Sequence, residues 1–365
     1  MKIVIAPDSF KGSLSATGVV EALAEGIRES APGADITAQP LSDGGEGTLD
    51  VLAHHGFEIH TVSVLGSWGQ PVVASFASRD GVVVIESAQA FGFLPGATAA
   101  QALEASSAGV GHLIKEALTP GPTEILLTVG GTSGTDGGLG MLRVLGARGL
   151  DDQGDEIGQG GGALLTLASV DLTGLDPRLG TTRVRVLTDV TNPLLGSSGA
   201  AAIFAPQKGA DSEAVALLDA GLARLAGLVG QEMADRPGTG AGGGLAFAAM
   251  ATLGASQESG ATAMIEITGV GRELEGADLV VTGEGSFDAQ SLGGKIPGVM
   301  IELARSRNIP VVVVCGVSQM TEKIPGVTVI EISASAPSIQ DSIDNPAVYL
   351  RDAGREIGRL ATEAP

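Results

Sequence analysis

Ala277 to Lys295 reads ADLVVTGEGSFDAQSLGGK. Asp278–Thr282 has the composition of a short buried strand. A loop with Gly283, Glu284, Gly285, Asp288 and Lys295 follows, and a helix is expected to start near Pro297. Strand, glycine-rich loop and helix make the usual parallel α/β unit, whose working edge is the carboxyl end of the strand. Glycine lets a backbone approach a ligand closely. Two carboxylates and a lysine in so short a span suit a metal ion and a phosphate. A solvated polar turn is the plainer reading of one such loop, but the chain holds several of similar make-up.

Working outward, Lys2–Ala6 and Ile36–Leu41 read as further strands. The first runs into Pro7-Asp8-Ser9-Phe10-Lys11-Gly12-Ser13. A helix with Leu14, Val19, Leu23 and Ile27 at helical spacing follows, capped by Ser13 or Ser15. A loop at a helix N-terminus favours anions; the Walker A spacing is absent. The second strand leads to Ser42-Asp43-Gly44-Gly45-Glu46-Gly47-Thr48 and a helix ending at His54-His55. Adjacent histidines do not share a helix face, so they read as helix-end residues and not as metal ligands. Strands return at Asp278–Thr282, Val311–Cys315 and Val327–Ile332.

Between these ends the pattern changes. Ile59–Leu65, Val72–Ala77 and Val82–Ser87 are close enough for hairpins. One helix is expected over Ala102–Leu118. Strand Glu124–Val129 runs into the glycine run Gly130–Gly138, and strand Arg183–Thr188 into Asp189-Val190-Thr191-Asn192-Pro193. Asp151–Glu156 lacks calcium-loop spacing and reads as a solvated hairpin turn. Gly238–Gly243 matches G-x-G-x-x-G, but Pro237 and a helix precede it where the dinucleotide fingerprint needs a strand.

At 365 residues two domains are expected. The predicted fold is α/β. Residues 1–60 plus 276–365 form a flavodoxin-like, doubly wound parallel sheet built from both chain ends. Residues 61–275 form an inserted mixed α/β domain, with the active site expected in the cleft between the two. A net charge of −21 argues against nucleic acid and anionic membranes. There is no signal-like segment and no apolar run of bilayer length, and the lone Cys315 fits a reducing compartment, so a cytoplasmic protein is expected. Of only six lysines, Lys11, Lys208 and Lys295 lie in these loops.

Taken together, IAPDSFKGSLSA, LSDGGEGT, the GG-x-x-x-x-DGG run at Gly130, LTDVTNPLLG, FAPQKGA, PGTGAGGGLAF and TGEGSFDAQSLGGK resemble bacterial glycerate kinases of the first type, from end to end of the chain. The resemblance implies ATP-dependent phosphorylation of D-glycerate with magnesium, 2-phosphoglycerate being favoured. Thr132-Ser133-Gly134-Thr135, Ser286, Gly293, Ala108 and His112 depart from the commoner residues of that family.

Phosphoryl transfer needs positioning, charge neutralisation and a base. Asp189 is the candidate base, weighed evenly against an Asx-turn role with Asn192. Lys11 and Lys295 are candidates for phosphate or substrate carboxylate. Asp43, Glu284 and Asp288 are candidates for magnesium, each with helix capping as its rival. Asp8, Ser9, Ser13, Gly131, Asn192, Gln207, Lys208, Gly283 and Gly285 are candidates for substrate or nucleotide contact. The runner-up readings are a nicotinamide-dependent hydroxy-acid enzyme and a non-enzymatic two-domain binding protein.

Overall fold

The structure is a computed structural model and describes residues 1–363. Its strands in chain order are β1 (Lys2–Ile5), β2 (Asp35–Ala38), β3 (Glu58–Leu65), β4 (Pro71–Arg79), β5 (Val82–Glu86), β6 (Glu124–Thr128) and β7 (Arg148–Leu150). Then come β8 (Ser169–Asp171), β9 (Arg183–Leu187), β10 (Ser256–Glu258), β11 (Leu279–Phe287), β12 (Val311–Ser318) and β13 (Val327–Glu331). The chain divides into two compact units. One comprises Met1–Asp43, Asp50–Gly56 and the chain from Ser259 on; the other comprises Gly44–Leu49 and Phe57–Glu258.

The first unit holds one parallel sheet in the order β13-β12-β11-β1-β2. Counted along the chain within this sheet, that is 2-1-3-4-5, the flavodoxin-like order expected from the sequence. Alternate residues face opposite sides. Ile3, Ile5, Val281 and Val314 pack under helices Ala16–Ser30 and Pro346–Glu363. Val4, Val280, Val313 and Cys315 pack under helix Ile296–Arg305. Each fully buried side chain of this kind contributes roughly 1.5–3 kcal/mol. The two outer helices approach closely at Gly26, where a Cβ would sit 1.9 Å from the Arg351 carbonyl oxygen. Helices Gly260–Thr268 and Val270–Glu273 also belong here, placing Ala261, Ile265 and Val270 in the same core.

β11 runs five residues past the expected end at Thr282. Gly283 and Glu284 pair with Val314 and Cys315, and Ser286 and Phe287 with Val317 and Ser318. The glycines that look like a loop serve a tight strand pair. A Cβ on Gly283 would lie 2.0 Å from the Val314 oxygen, and one on Gly316 2.4 Å from the Gly285 oxygen.

The second unit is built on a six-stranded sheet, β10-β9-β6-β5-β4-β3. β3, β4 and β5 form antiparallel hairpins, and β5, β6, β9 and β10 run parallel. The β4–β5 turn is Asp80-Gly81, both at positive φ, the chemistry a two-residue hairpin requires. The helix expected over Ala102–Leu118 is broken into Ala99–Glu104 and Ala108–Ala117. At the break the Ser107 N–H and hydroxyl both donate to Asp136 Oδ2, each at 2.8 Å, and this tertiary bond replaces a continuing helix. The acidic Asp151–Glu156 stretch is a turn, with Asp151 Oδ1 accepting from the N–H groups of Gln153 and Asp155. His54 ends its helix and its ring nitrogen lies 3.4 Å from the Ala38 oxygen.

Candidate active site

In the first unit the carboxyl ends of β1 and β11 carry the charged side chains. The Asp8 N–H donates to the Gly283 carbonyl at 2.8 Å and the Thr282 hydroxyl to the Ala6 carbonyl at 2.8 Å, which ties the two strand ends together. Asp8 is buried, and its Oδ1 accepts from the Ser9 N–H at 2.6 Å. Burial first, and the Asp43 carboxylate second, push the Asp8 acid up to about 7 against the pull of Lys11. Lys11 Nζ donates to Asp43 Oδ2 at 2.9 Å with the lysine side chain 65% exposed.

Glu284 sits within β11 with Oε1 buried and without a hydrogen-bond partner, and with Oε2 3.9 Å from Lys295 Nζ. Burial raises its acid above the usual carboxylate range. Such an orphaned oxygen is rare in a folded chain and calls for a ligand, ion or water. Lys295 is the N-cap of helix Ile296–Arg305, so its charge stands at a helix N-terminus.

Asp8, Lys11, Asp43, Glu284 and Lys295 are thus gathered at one sheet edge. Ser15, not Ser13, caps helix Ala16–Ser30, by accepting from the Gly18 N–H. The Ser13 hydroxyl donates to the Ile343 carbonyl at 2.5 Å. Asp288 Oδ1 accepts from the N–H groups of Gln290 and Ser291 at 2.8 and 3.1 Å, the head of the turn Ser291–Gly293. Asp43 stands five residues ahead of helix Thr48–His54, outside the capping position. Gly285 lies against the Phe10 backbone, with a Cβ position 3.5 Å from the Phe10 Cα.

Among the described residues no three His, Cys, Asp or Glu side chains stand close enough to hold a metal by themselves. Magnesium keeps several waters and takes one or two carboxylates plus substrate phosphates. Asp43 and the orphaned Glu284 oxygen are the carboxylates at this edge that could hold such an ion.

In the second unit the loop from Gly130 to Gly138 follows β6. Asp136, buried, accepts from Ser107 twice, from the Gly138 N–H at 3.0 Å and from the Gly140 N–H at 3.2 Å. Four donors make it the keystone of the loop. Gly243 packs into the same place: the Gly137 N–H donates to its carbonyl at 3.0 Å, and a Cβ on it would lie 2.1 Å from the Gly134 oxygen. The G-x-G-x-x-G run therefore serves close packing, and the short 3-10 turn Ala241–Gly244 stands where a dinucleotide site needs a strand's loop. Lys208, buried, donates to Thr132 Oγ1 at 3.2 Å and to the Gly134 carbonyl at 2.6 Å. Its neighbour Gln207 is exposed, as is Gly131, which has φ +65°.

Asp189 stands exposed two residues beyond β9. The Thr188 N–H before it donates to the Glu258 carbonyl at 3.0 Å, anchoring the strand end. Asn192 Nδ2 donates to the Ser198 carbonyl at 2.8 Å and its own carbonyl accepts from the Gly240 N–H at 3.0 Å. The Val190 N–H donates to Thr188 Oγ1 at 3.3 Å. Sequence reading passed over Ser107 and named Thr132 only as a departure from the family's commoner residues. Ser107 had no signal beyond a break in helical hydrophobicity.

The glycerate kinase family matches residues 3–362. The chain belongs to that family. It is 43% identical over 325 residues to a glycerate 2-kinase of Escherichia coli (strain K12), covering 87% of this chain and 85% of that one. It is 39% identical over 370 residues to a glycerate kinase of Bacillus subtilis (strain 168), covering 98% and 97%. A crystal structure of a candidate glycerate kinase 2 from Salmonella typhimurium LT2 superposes with a TM-score of 0.87 at 38% identity, covering 99% and 98%. As a glycerate kinase this chain is a phosphotransferase with an alcohol acceptor: it phosphorylates glycerate, with ATP as the donor that a kinase uses. The nicotinamide and non-enzymatic readings find no support. Among the described residues no helix is long and apolar enough to cross a membrane.

Proposed function

We propose that the enzyme transfers the γ-phosphoryl group of ATP to the 2-hydroxyl of D-glycerate, with magnesium, in the cytoplasm. The observation that carries this is the edge of the first sheet. Two lysines, a raised buried acid and an orphaned carboxylate oxygen stand at the carboxyl ends of two parallel strands. Lys11 and Lys295 neutralise phosphate or the substrate carboxylate. Bound magnesium supplies charge neutralisation on the phosphates. Asp43 and Glu284 Oε1 are the residues that would hold it, with Asp288 a further carboxylate on the same segment.

Asp189, exposed at a fixed strand end, accepts the hydroxyl proton as the oxygen attacks phosphorus. Asp8, Ser9, Ser13, Gly283 and Gly285 shape the first binding loop, and Gly131, Asn192, Gln207 and Lys208 the second, on chain segments 1–60 plus 276–365 and 61–275 respectively. The name of the Escherichia coli relative supports the 2-position. The lone Cys315, buried with its thiol pushed up to about 12 mainly by burial, is a core residue and fits a reducing compartment.

Incubation with ATP, magnesium and D-glycerate, followed by phosphorus NMR, tests the reading. The expected product is 2-phosphoglycerate, formed only with a divalent ion. Phosphate on the 3-hydroxyl, or equal turnover in excess chelator, defeats the finer claims.

A further inference from the structure

Lys208 is the only buried lysine of the six, and its ammonium is hydrogen-bonded to neutral groups alone. It ends the turn Pro206–Lys208, and that turn is itself clamped. Gly209 has φ +97°, and a Cβ there would lie 2.1 Å from the Ala97 oxygen. The nearby carboxylate that favours its charge is Asp136, whose oxygens already serve Ser107, Gly138 and Gly140. Burying an ammonium this way is costly, and a methionine of similar volume would fill the space without that cost. What methionine cannot do is donate.

Both acceptors, the Thr132 hydroxyl oxygen and the Gly134 carbonyl, belong to the loop after β6. That loop is already fixed at its far end by Asp136 and along its flank by Gly243. Its near end is fixed by the Phe93 N–H on the Gly131 carbonyl at 2.7 Å and the Ser133 N–H on the Phe91 carbonyl at 2.9 Å. Between them, Lys208 fixes the middle. Because Thr132 Oγ1 accepts from the ammonium, its own hydroxyl hydrogen remains to be donated.

We propose that Lys208 is a positioning residue for phosphoryl transfer: it holds Thr132 and Gly134 so that the Thr132 hydroxyl and the Gly130–Gly131 backbone present donors to an anionic oxygen of the substrate, and it touches no substrate itself. This rests on the reading of the Gly130–Gly138 loop as a substrate loop.

The test has two arms. In the first, amide exchange is followed in the substrate-free protein. Lys208→Met should raise exchange across residues 130–135 by about tenfold or more while helix Ser212–Val229 stays protected. Unchanged exchange there overturns the proposal, whatever the enzyme turns over. In the second, KM and kcat are measured for both substrates. Lys208→Met and Thr132→Val should each raise one KM by about tenfold, the usual worth of an outer-shell partner, with a smaller change in kcat. Thr132→Ser, which keeps the hydroxyl, should restore wild-type KM. The double variant should be no worse than Lys208→Met, because both changes remove one arrangement. Multiplying losses, or equal KM for Thr132→Val and Thr132→Ser, overturn it. If Lys208→Met does not fold, the Thr132 pair still decides. Absent turnover in the wild type defeats the proposed function and leaves the exchange result to decide this one.

Discussion

The parallel sheet of the first unit and the mixed sheet of the second are both accompanied by lysines and carboxylates, and the two units use them in opposite ways. In the first unit Lys11 is largely exposed and paired with a carboxylate, and Lys295 stands near Glu284 at a helix N-terminus. In the second unit Lys208 is buried with neutral acceptors, Arg185 is buried between Glu124 and Glu258, and Asp136 is buried under four donors. Charge near solvent is available to a ligand. Charge that is buried and saturated can only shape what the ligand meets. Asp189 differs from these three, being an acid exposed just past a strand.

Assembly sharpens the contrast most. β1 lies between β2 and β11, and β11 arrives more than two hundred residues later, whereas the second sheet comes from one nearly continuous run. Residues 1–60 expressed alone should show no cooperative melting by circular dichroism, because two strands cannot bury both faces. A sharp thermal transition in that fragment would refute the interleaved layout.

The exposed acid should matter through chemistry. Asp189→Asn keeps size but cannot accept the proton, so kcat should fall roughly 10²–10⁴-fold with little change in the KM for ATP and an unchanged Tm. If kcat holds while Tm drops, Asp189 is a turn residue and the base is elsewhere, with Asp43 next in line. The buried cation should matter through stability. Arg185 Nη2 lies 2.5 Å from Glu258 and Nη1 3.4 Å from Glu124. Arg185→Met leaves both acids without it and should cost about 3–5 kcal/mol in urea titration. A loss below 1 kcal/mol would show that the acids find water instead.

The sequence carried the first sheet to its strand order, because β1, β11 and β12 are apolar runs and amphipathic helices follow β1 and β11 on either side of the long insertion. β11 ran longer than expected because Gly283 and Gly285 carry the same signal for a loop and for two backbones in contact. The break at Ser107 is written in a tertiary bond to Asp136, which no local pattern reveals. β7, β8 and β10, three residues each, are too short to show a period. At the candidate site, Lys11, Asp43 and Glu284 stood out by residue type and loop position, and the structure brings them to one sheet edge. What could not be read was burial, which separates Lys208 from Lys11 although both sit in Gly-containing loops.

The exposed lysine should reveal itself in binding alone. Lys11→Met removes a surface ion pair worth about 1 kcal/mol or less, so stability should barely move. If the ammonium meets phosphate or carboxylate, one substrate KM should rise about 10–100-fold. A KM within twofold of wild type for both substrates removes Lys11 from the site.

The finest separation is in pH dependence. Burial pulls the Lys208 ammonium down to about 7, with Asp136 opposing. In the unfolded chain a lysine keeps its proton to about 10.4. Between those values the unfolded chain holds a proton that the folded chain lacks, so folding becomes more favourable as pH rises, by up to ~1.4 kcal/mol per pH unit. The same contribution is lost as pH falls through about 7. Methionine has no proton to release, so the stability of wild type relative to Lys208→Met should climb between pH 7 and 9. Lys11 behaves otherwise. Burial pulls its ammonium down, Asp43 pulls it up more strongly, and the net shift is upward. It is charged in both states across this window and adds no slope of its own; Lys11→Met acts on the pH dependence only by letting the Asp8 acid rise further, so wild type relative to Lys11→Met should change less than wild type relative to Lys208→Met. Urea titrations at pH 6.5, 7.5, 8.5 and 9 read both differences. A flat line for Lys208 would mean that its ammonium keeps an ordinary affinity for its proton, and the contrast between the two lysines would reduce to one of exposure.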